Sequence, residues 1–184
     1  MTLFMMIQSD YGIKRPIDDN LIEKISLGDT DAFRELYEAA SKSVYGFALS
    51  ILKNRYDAED VLQETFLRVY TNASAYKAKG KPMAWILRIT RNLSLTRLRE
   101  KAKTEEYDLS AEVPDFSFVN DSDSRLLLGK LFSILSDDEK QIVVLHAVGG
   151  LKHRETAEIL ELPLGTVLAK YNRAIKKLRA ETEE

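Results

Sequence analysis

Residues 57–103 carry the pattern that most restricts the fold: two apolar stripes of helical period separated by a lysine-rich break. In DAEDVLQETFLRVYTNASAY, Ala58, Val61, Leu62, Thr65, Phe66 and Val69 recur at i, i+3, i+4 and i+7. They therefore share one helix face, and that face has to be buried. Asp57 stands where a cap belongs, with Asp60 three residues on and Tyr56 and Val61 at the two staple positions. KAKGKP interrupts the period. It resumes in MAWILRITRNLSLTRLREK, with Trp85, Ile86, Ile89 and Leu93 on one side and Arg88, Arg91, Asn92 and Arg99 on another.

Charge is sorted along the same stretch. From 77 to 103 there are nine Lys or Arg against one acid, Glu100, although the whole chain carries a formal charge of −2. On the first helix Asp60, Gln63 and Glu64 share an outward face, with Leu67 one turn further along. Periodicity alone allows that face to be solvated or to dock a partner. The loop lysines Lys77, Lys79 and Lys81 lie between Tyr76 on one side and Met83 and Trp85 on the other. Cations beside aromatic side chains suit a phosphate backbone whose bases stack or insert, though a solvated basic helix would show the same pattern.

With 184 residues, 45% hydrophobic and 30% charged, the chain has material for one domain or two small ones. It contains no cysteine, which excludes disulfides, thiolate metal sites and cysteine nucleophiles and suits a reducing compartment. No apolar run reaches the roughly 20 residues that span a bilayer, so stable membrane insertion is not expected and a cytoplasmic location is. MTLFMMIQSDYG lacks the basic start and small-residue cleavage site of a signal peptide.

Residues 1–16 have no period and read as a loose leader. Residues 17–27 predict a short helix with Leu21, Ile22 and Ile25 inward, ended by Gly28. Asp29 or Thr30 then caps a long helix whose stripe includes Phe33, Leu36, Tyr37, Ala40, Val44 and Phe47, with Asn54 as its stop. Residues 101–124 are acidic and aperiodic and contain Pro114, the composition of an extended linker. Beyond it Leu127, Leu128, Leu131, Phe132 and Leu135 form an apolar face, and Ser136 to Glu139 spells a capping box. HRETAEILEL, the turn Pro163-Leu-Gly165 and a helix from about Thr166 to Ala180 outline a helix-turn-helix. Its spacing buries Val167, Tyr171, Ala174 and Leu178 and leaves Ala169, Asn172, Arg173 and Lys176 outward. His146 and His153 are separated by Gly149-Gly150 and share no helix face, so neither a metal site nor any other cofactor is expected. No nucleophile-base pairing or phosphate loop suggests an enzyme.

Together these segments resemble the extracytoplasmic-function group of the bacterial sigma-70 family. The resemblance rests on GDTDAFRELY (28–37), DAEDVLQETFLRVY (57–70), AWILRITRNLSLTRLR (84–99) and GTVLAKYNRAIKKLR (165–179), in the family's order. It implies an all-α fold of two small helical domains, region 2 over 17–100 and region 4 over 125–184, joined by a flexible acidic linker at 101–124. It also implies a non-enzymatic initiation factor whose partners are core RNA polymerase, through the β′ clamp helices and β flap, and promoter DNA. An anti-sigma factor is a further expected partner.

Residue by residue, Asp60, Gln63, Glu64 and Leu67 match the clamp-binding surface. The loop bounded by Tyr76 and Met83, with Lys77, Lys79 and Lys81, matches the one that takes a flipped base of the −10 element. Arg88, Arg91 and Asn92 match the helix that lies along the −10 duplex, and Trp85 is expected to take part in the same −10 contact. Thr166, Leu168, Ala169, Lys170, Asn172, Arg173 and Lys176 lie on the helix that resembles the family's reader of the −35 element.

The chain departs from the family at Leu168 and Ala169, where a basic residue and Ser are common, at Lys152, where a capping Ser is common, and at Glu161, where a turn Gly is frequent. The expected consequence is an unusual or weaker −35 preference. A stand-alone helix-turn-helix regulator is a rival reading, but it leaves the acidic face and lysine loop unexplained. A sigma-shaped interaction protein that no longer initiates is another, and only Leu168 and Ala169 hint at it.

Overall fold

A computed structural model of the protein describes residues 17–103, 129 and 133–182. Among them every regular element is helical. The expectations for residues 1–16, for 104–124 and for Leu127, Leu128, Leu131 and Phe132 lie outside the described residues.

Helix α1 (Asp19–Ser26) starts where the Asp18 carboxylate accepts the Leu21 N–H at 3.0 Å, and it buries Ile22 and Ile25. Helix α2 (Thr30–Leu52) is capped by Asp29, whose carboxylate accepts from the N–H groups of Asp31 and Ala32, both at 2.9 Å. Leu36, Ala40, Val44, Phe47 and Ala48 are fully buried along α2, each large side chain contributing roughly 1.5–3 kcal/mol. Tyr37 departs from the expected stripe and is 42% exposed; its ring leans on Phe66 with centroids 4.7 Å apart.

The stop and the start that follow differ from the sequence reading. Lys53, in the left-handed region at φ 57°, ends α2, and Asn54 caps α3 (Arg55–Asn72) by accepting the Asp57 N–H at 3.0 Å. Asn54 wins the cap because it precedes Asp57 by three residues and the helix begins two positions before Asp57. Asp57 is therefore inside the first turn and 5% exposed, and Tyr56, at 67% exposure, staples nothing.

After a 3₁₀ turn (Ala73–Ala75) the chain enters α4 (Pro82–Lys103), where proline's fixed φ and missing N–H suit the first helical position. Helix α4 buries Met83, Ile86, Leu87, Thr90 and Ser94, while Trp85, Ile89 and Leu93 are only partly covered. It continues to Lys103, past residue 100 where composition suggests the first domain ends. At its far end Arg97 and Lys101 both reach back to the buried Asp57, Arg97 at 3.2 Å.

In the second half Ser136 and Glu139 form the expected capping box at the start of α5 (Asp137–Val143), with Ser136 N–H donating to the Glu139 carboxylate at 2.9 Å. The helix then widens to π pitch over Val144–Val148. Gly149 follows because a Cβ there would lie 2.7 Å from the Leu145 carbonyl oxygen and 3.1 Å from Leu87 Cδ1. Helices α6 (His153–Leu160) and α7 (Leu164–Thr182) complete the helix-turn-helix.

Both halves contribute to one continuous core. The buried Ser43 hydroxyl of α2 donates to the Val148 carbonyl at 3.1 Å, and Lys53 pairs with Asp137 at 2.6 Å. The hydrogen bond from Lys53 holds the Asp137 carboxyl below its usual value.

Candidate nucleic-acid interface

The acidic face lies where the sequence places it. Asp60, Gln63 and Leu67 are exposed, Leu67 at 56%, and Glu64 is half-buried. They border an open groove of about 620 Å³ between α3 and α4, closed on the other side by Thr96, Arg97 and Glu100. Arg97 donates to Asp60 at 2.5 Å, and Arg68 donates to Glu64 at 2.8 Å. Arg97 thus bridges the buried Asp57 and the exposed Asp60, so one of the cations counted toward a basic surface is spent inside the protein. Lys101, bound to Asp57, is another. Sequence spacing did not reveal this, because the partners lie some forty residues apart.

The lysine loop is folded around one phenol. Tyr76 donates from its hydroxyl to Asp19 Oδ1 at 2.5 Å, and the Gly80 N–H donates to Asp19 Oδ2 at 2.6 Å. Burial and the Asp19 carboxylate push the Tyr76 pKa up to about 12, partly offset by backbone N–H groups of Lys79 and Lys81 directed at the same phenol oxygen. At neutral pH this hydroxyl is a donor. The Tyr76 and Trp85 rings lie with centroids 4.9 Å apart at 50°. Lys77, Lys79 and Lys81 are exposed, whereas Met83 is 6% exposed and packs the core, so it does not present itself to a base. Pro82 and Met83 begin α4 on its buried side, which the alternation of the loop did not indicate.

Along α4 Arg88 and Asn92 are exposed, and Asn92 lines a second groove of about 380 Å³ with Trp85, Ile89 and Thr96. Asn72 and Arg68 of α3 complete that groove, and the sequence reading had not singled them out. Arg91 does not face solvent freely. Its guanidinium meets Glu161, the first residue of the turn between α6 and α7, at 3.3 Å, and Lys81 meets Glu155 at 3.4 Å. Two cations of the basic face are therefore held by acids of the helix-turn-helix half.

In that half Val167, Ala174 and Leu178 are buried and Tyr171 partly so, while Leu168 (39% exposed), Ala169, Asn172, Arg173 and Lys176 are exposed on α7. Thr166 is half-buried, and its N–H donates to Pro163 O at 2.9 Å. Lys170 turns toward α5 and donates to Asp138 at 2.7 Å, away from the exposed row. Glu161 adopts the left-handed region at φ 57°, a conformation glycine takes at less cost. Lys152 offers no side-chain acceptor to its helix, but its N–H donates to Glu155 at 2.9 Å.

The two histidines, separated by two glycines in sequence, stack with ring centroids 4.0 Å apart against Tyr171. His146 Nδ1 lies 2.6 Å from Leu151 O. Among the described residues no three His, Cys, Asp or Glu side chains are grouped to hold a metal ion. No described helix is long and apolar enough to cross a membrane.

Known families match the same segments that supply these surfaces. Sigma-70 region 2 matches residues 36–104, spanning α3, the lysine loop and α4, and Sigma-70, region 4 matches residues 125–178, spanning the helix-turn-helix. The sigma factor SigW of Bacillus subtilis is 29% identical over 181 residues, covering 89% of this chain and 95% of that protein. SigK of Mycobacterium ulcerans is 30% identical over 169 residues, covering 86% and 90% respectively. Both are described as ECF RNA polymerase sigma factors. Among solved structures, RpoE from Bartonella quintana, in complex with the anti-sigma factor NepR, shares the fold at a TM-score of 0.66 and 20% identity, over 82% of this chain and 96% of that one. CnrH, in complex with the cytosolic domain of CnrY, does so at 0.60 and 23%, over 90% and 97%. An acidic helix face, a basic loop and a helix-turn-helix in this order, matched over most of the chain by such relatives, place it in the extracytoplasmic-function group of the sigma-70 family, as an RNA polymerase sigma factor that directs transcription initiation.

Proposed function

We propose that Asp60, Gln63, Glu64 and Leu67 form the surface that docks on the β′ clamp helices of core polymerase. The loop lysines Lys77 and Lys79, with Tyr76 and Trp85, receive the −10 element, and Arg88 and Asn92 lie along its backbone, joined by Lys81 and Arg91 once these leave Glu155 and Glu161. Met83 supports that site from the core. On α7 Thr166, Leu168, Ala169, Asn172, Arg173 and Lys176 read the −35 element, with Leu168 and Ala169 suited to thymine methyl groups where a hydrogen-bonding reader would require polar side chains. Lys170 contributes there only after leaving Asp138. Residues 17–100 and 125–184 serve as the two working domains, with 101–124 as the connection through the polymerase and the β flap as the seat of the second domain.

The observation that carries this reading is the sorting of charge on one helical pair: an acidic rim with an exposed leucine on one side of α3 and α4, and exposed lysines beside an aromatic pair at the loop end. A protein surface and a freed nucleic-acid strand need these two different faces. The protein acts in the cytoplasm and catalyses no reaction of its own. An anti-sigma factor, as in the RpoE complex, is its expected regulator. The test is transcription of a fragmented genomic library by purified core polymerase with and without the protein, mapping RNA 5′ ends. New starts sharing two upstream elements support the reading; their absence, with polymerase binding intact, favours a non-initiating interaction protein.

A further inference from the structure

We propose that Asp19 is a positioning residue for promoter melting: by clamping both ends of the loop between α3 and α4, it sets which base that loop accepts. The proposal rests on the reading of this loop as the receiver of a −10 base.

Asp19 lies in the first turn of α1, outside the segment matched to Sigma-70 region 2. Its placement is fixed from below, since Asp18 caps the helix and Ile22 and Ile25, 0% and 2% exposed, anchor it in the core. Each carboxylate oxygen holds one end of the loop: Oδ1 takes the Tyr76 hydroxyl at 2.5 Å and Oδ2 takes the Gly80 N–H at 2.6 Å. Gly80 has φ +66°, so its N–H is aimed by a backbone conformation that a residue with a side chain adopts at a cost. Between these two points Lys77 and Lys79 point outward into solvent. Hydrogen bonds to a charged acceptor are about twice as strong as neutral ones, so this clamp outweighs an ordinary turn contact. A carboxylate among three exposed lysines also weakens attraction for a phosphate strand. Its half-buried position and the use of both its oxygens in hydrogen bonds give it a geometric task that offsets this cost.

The clamp also positions an aromatic surface. Tyr76 packs on Trp85 at 4.9 Å, so a change in the Tyr76 hydroxyl contact tilts the ring pair at the loop's entrance. Asp19 acts on a base through Tyr76 and Gly80 and does not need to touch it.

The test is in vitro transcription by the reconstituted holoenzyme on a promoter pool randomised across the −10 element, read by sequencing the transcripts. Wild type is compared with Asp19→Asn, Asp19→Ala, Tyr76→Phe and the loop variant Lys77→Ala plus Lys79→Ala. Asp19→Asn places an amide NH₂ against one of the two donors, and Tyr76→Phe removes one bond without altering charge. Both are expected to flatten the preference at one −10 position by about tenfold, the discrimination a single base commonly carries. Core-polymerase affinity should stay at the wild-type value in Asp19→Asn, and the variant should still fold cooperatively with a melting temperature only a few degrees lower, which separates positioning from a general folding role. An unchanged base profile in Asp19→Asn and Tyr76→Phe, while the lysine variant alters promoter melting, would overturn the proposal and leave the loop reading standing. If the lysine variant also leaves −10 selection and melting unchanged, the loop reading fails and the proposal falls with it. Loss of folding in Asp19→Asn and Asp19→Ala, with an unchanged profile in Tyr76→Phe, would assign Asp19 a purely structural role and likewise overturn it.

Discussion

The Arg91 guanidinium lies 3.3 Å from the Glu161 carboxylate, joining α4 to the turn of the helix-turn-helix. Glu161 is 75% exposed and the Arg91 side chain 18%, so the pair resembles a surface ion pair more than a buried one. Replacing Glu161 and Glu155 by Gln frees Arg91 and Lys81 and cancels the formal charge of −2. The free double variant should bind short duplex DNA about fivefold more tightly at low salt, the scale of one exposed pair. The slope of log affinity against log salt should steepen by up to about 2, since two more phosphates would be neutralised. A fluorescence anisotropy titration across salt concentrations measures both.

Asp60→Ala with Glu64→Ala should weaken core-polymerase binding by tenfold or more, within the roughly 1–3 kcal/mol that a few central interface residues carry. The fold should survive, because Arg97 keeps Asp57 as a partner. A pull-down scored beside a thermal melt separates the two effects.

Glu139 is 1% exposed and accepts from Lys177 at 2.6 Å, while its side chain also closes the Ser136 cap. Burial opposes its ionisation, but Lys177 and Ser136 outweigh burial and hold the carboxyl below its usual 4.5. A depressed folded-state value means that this stability is present above 4.5 and is lost as pH falls through the lower folded value. Glu139→Gln keeps the cap acceptor and removes the charge. It should cost about 1–2 kcal/mol at neutral pH, the low end for a broken charged pair because Lys177 is partly exposed, and denaturant unfolding reads it.

His153 is held below its ordinary 6.5, first by burial and then by the neighbouring His146. Its neutral form is the folded one, so the contribution is complete above pH 6.5 and shrinks as pH falls through the lower folded value. Acidification should therefore lower the melting temperature before the carboxylates titrate. His153→Phe, which keeps an aromatic ring against Tyr171, should flatten that part of the profile.

Much of this was legible from residue order, because a helical protein writes its core into a period of 3.6 and its caps into short-range chemistry. The Ser136 to Glu139 box, the Asp29 cap and the buried Val167, Ala174 and Leu178 are all local signals. The outward positions of Asp60, Gln63 and Leu67 were equally readable. What escaped was tertiary. Asn54 takes the cap whose spacing also suits Asp57, and the partners Asp57 finds instead, Arg97 and Lys101 from another helix, are invisible in residue order. Met83 looks like a base-facing residue until Pro82 starts α4 and turns it inward. His146 and His153 fall on different helical faces, and only the π-widened turn and the two glycines bring their rings together. Arg91 and Lys81 read as free cations because their acidic partners lie more than sixty residues away in sequence.

The Asp57 clamp has a mechanical meaning as well. Through Arg97 and Lys101 it ties the last turns of α4, a helix that runs to Lys103, to the first turn of α3. Helix α4 thus behaves as a stiff spar braced at its outer end, and a pull applied beyond Lys103 is delivered to the base of α3, beside Asp60. Tension in the connection and the proposed polymerase contact at Asp60 would then share one anchor point.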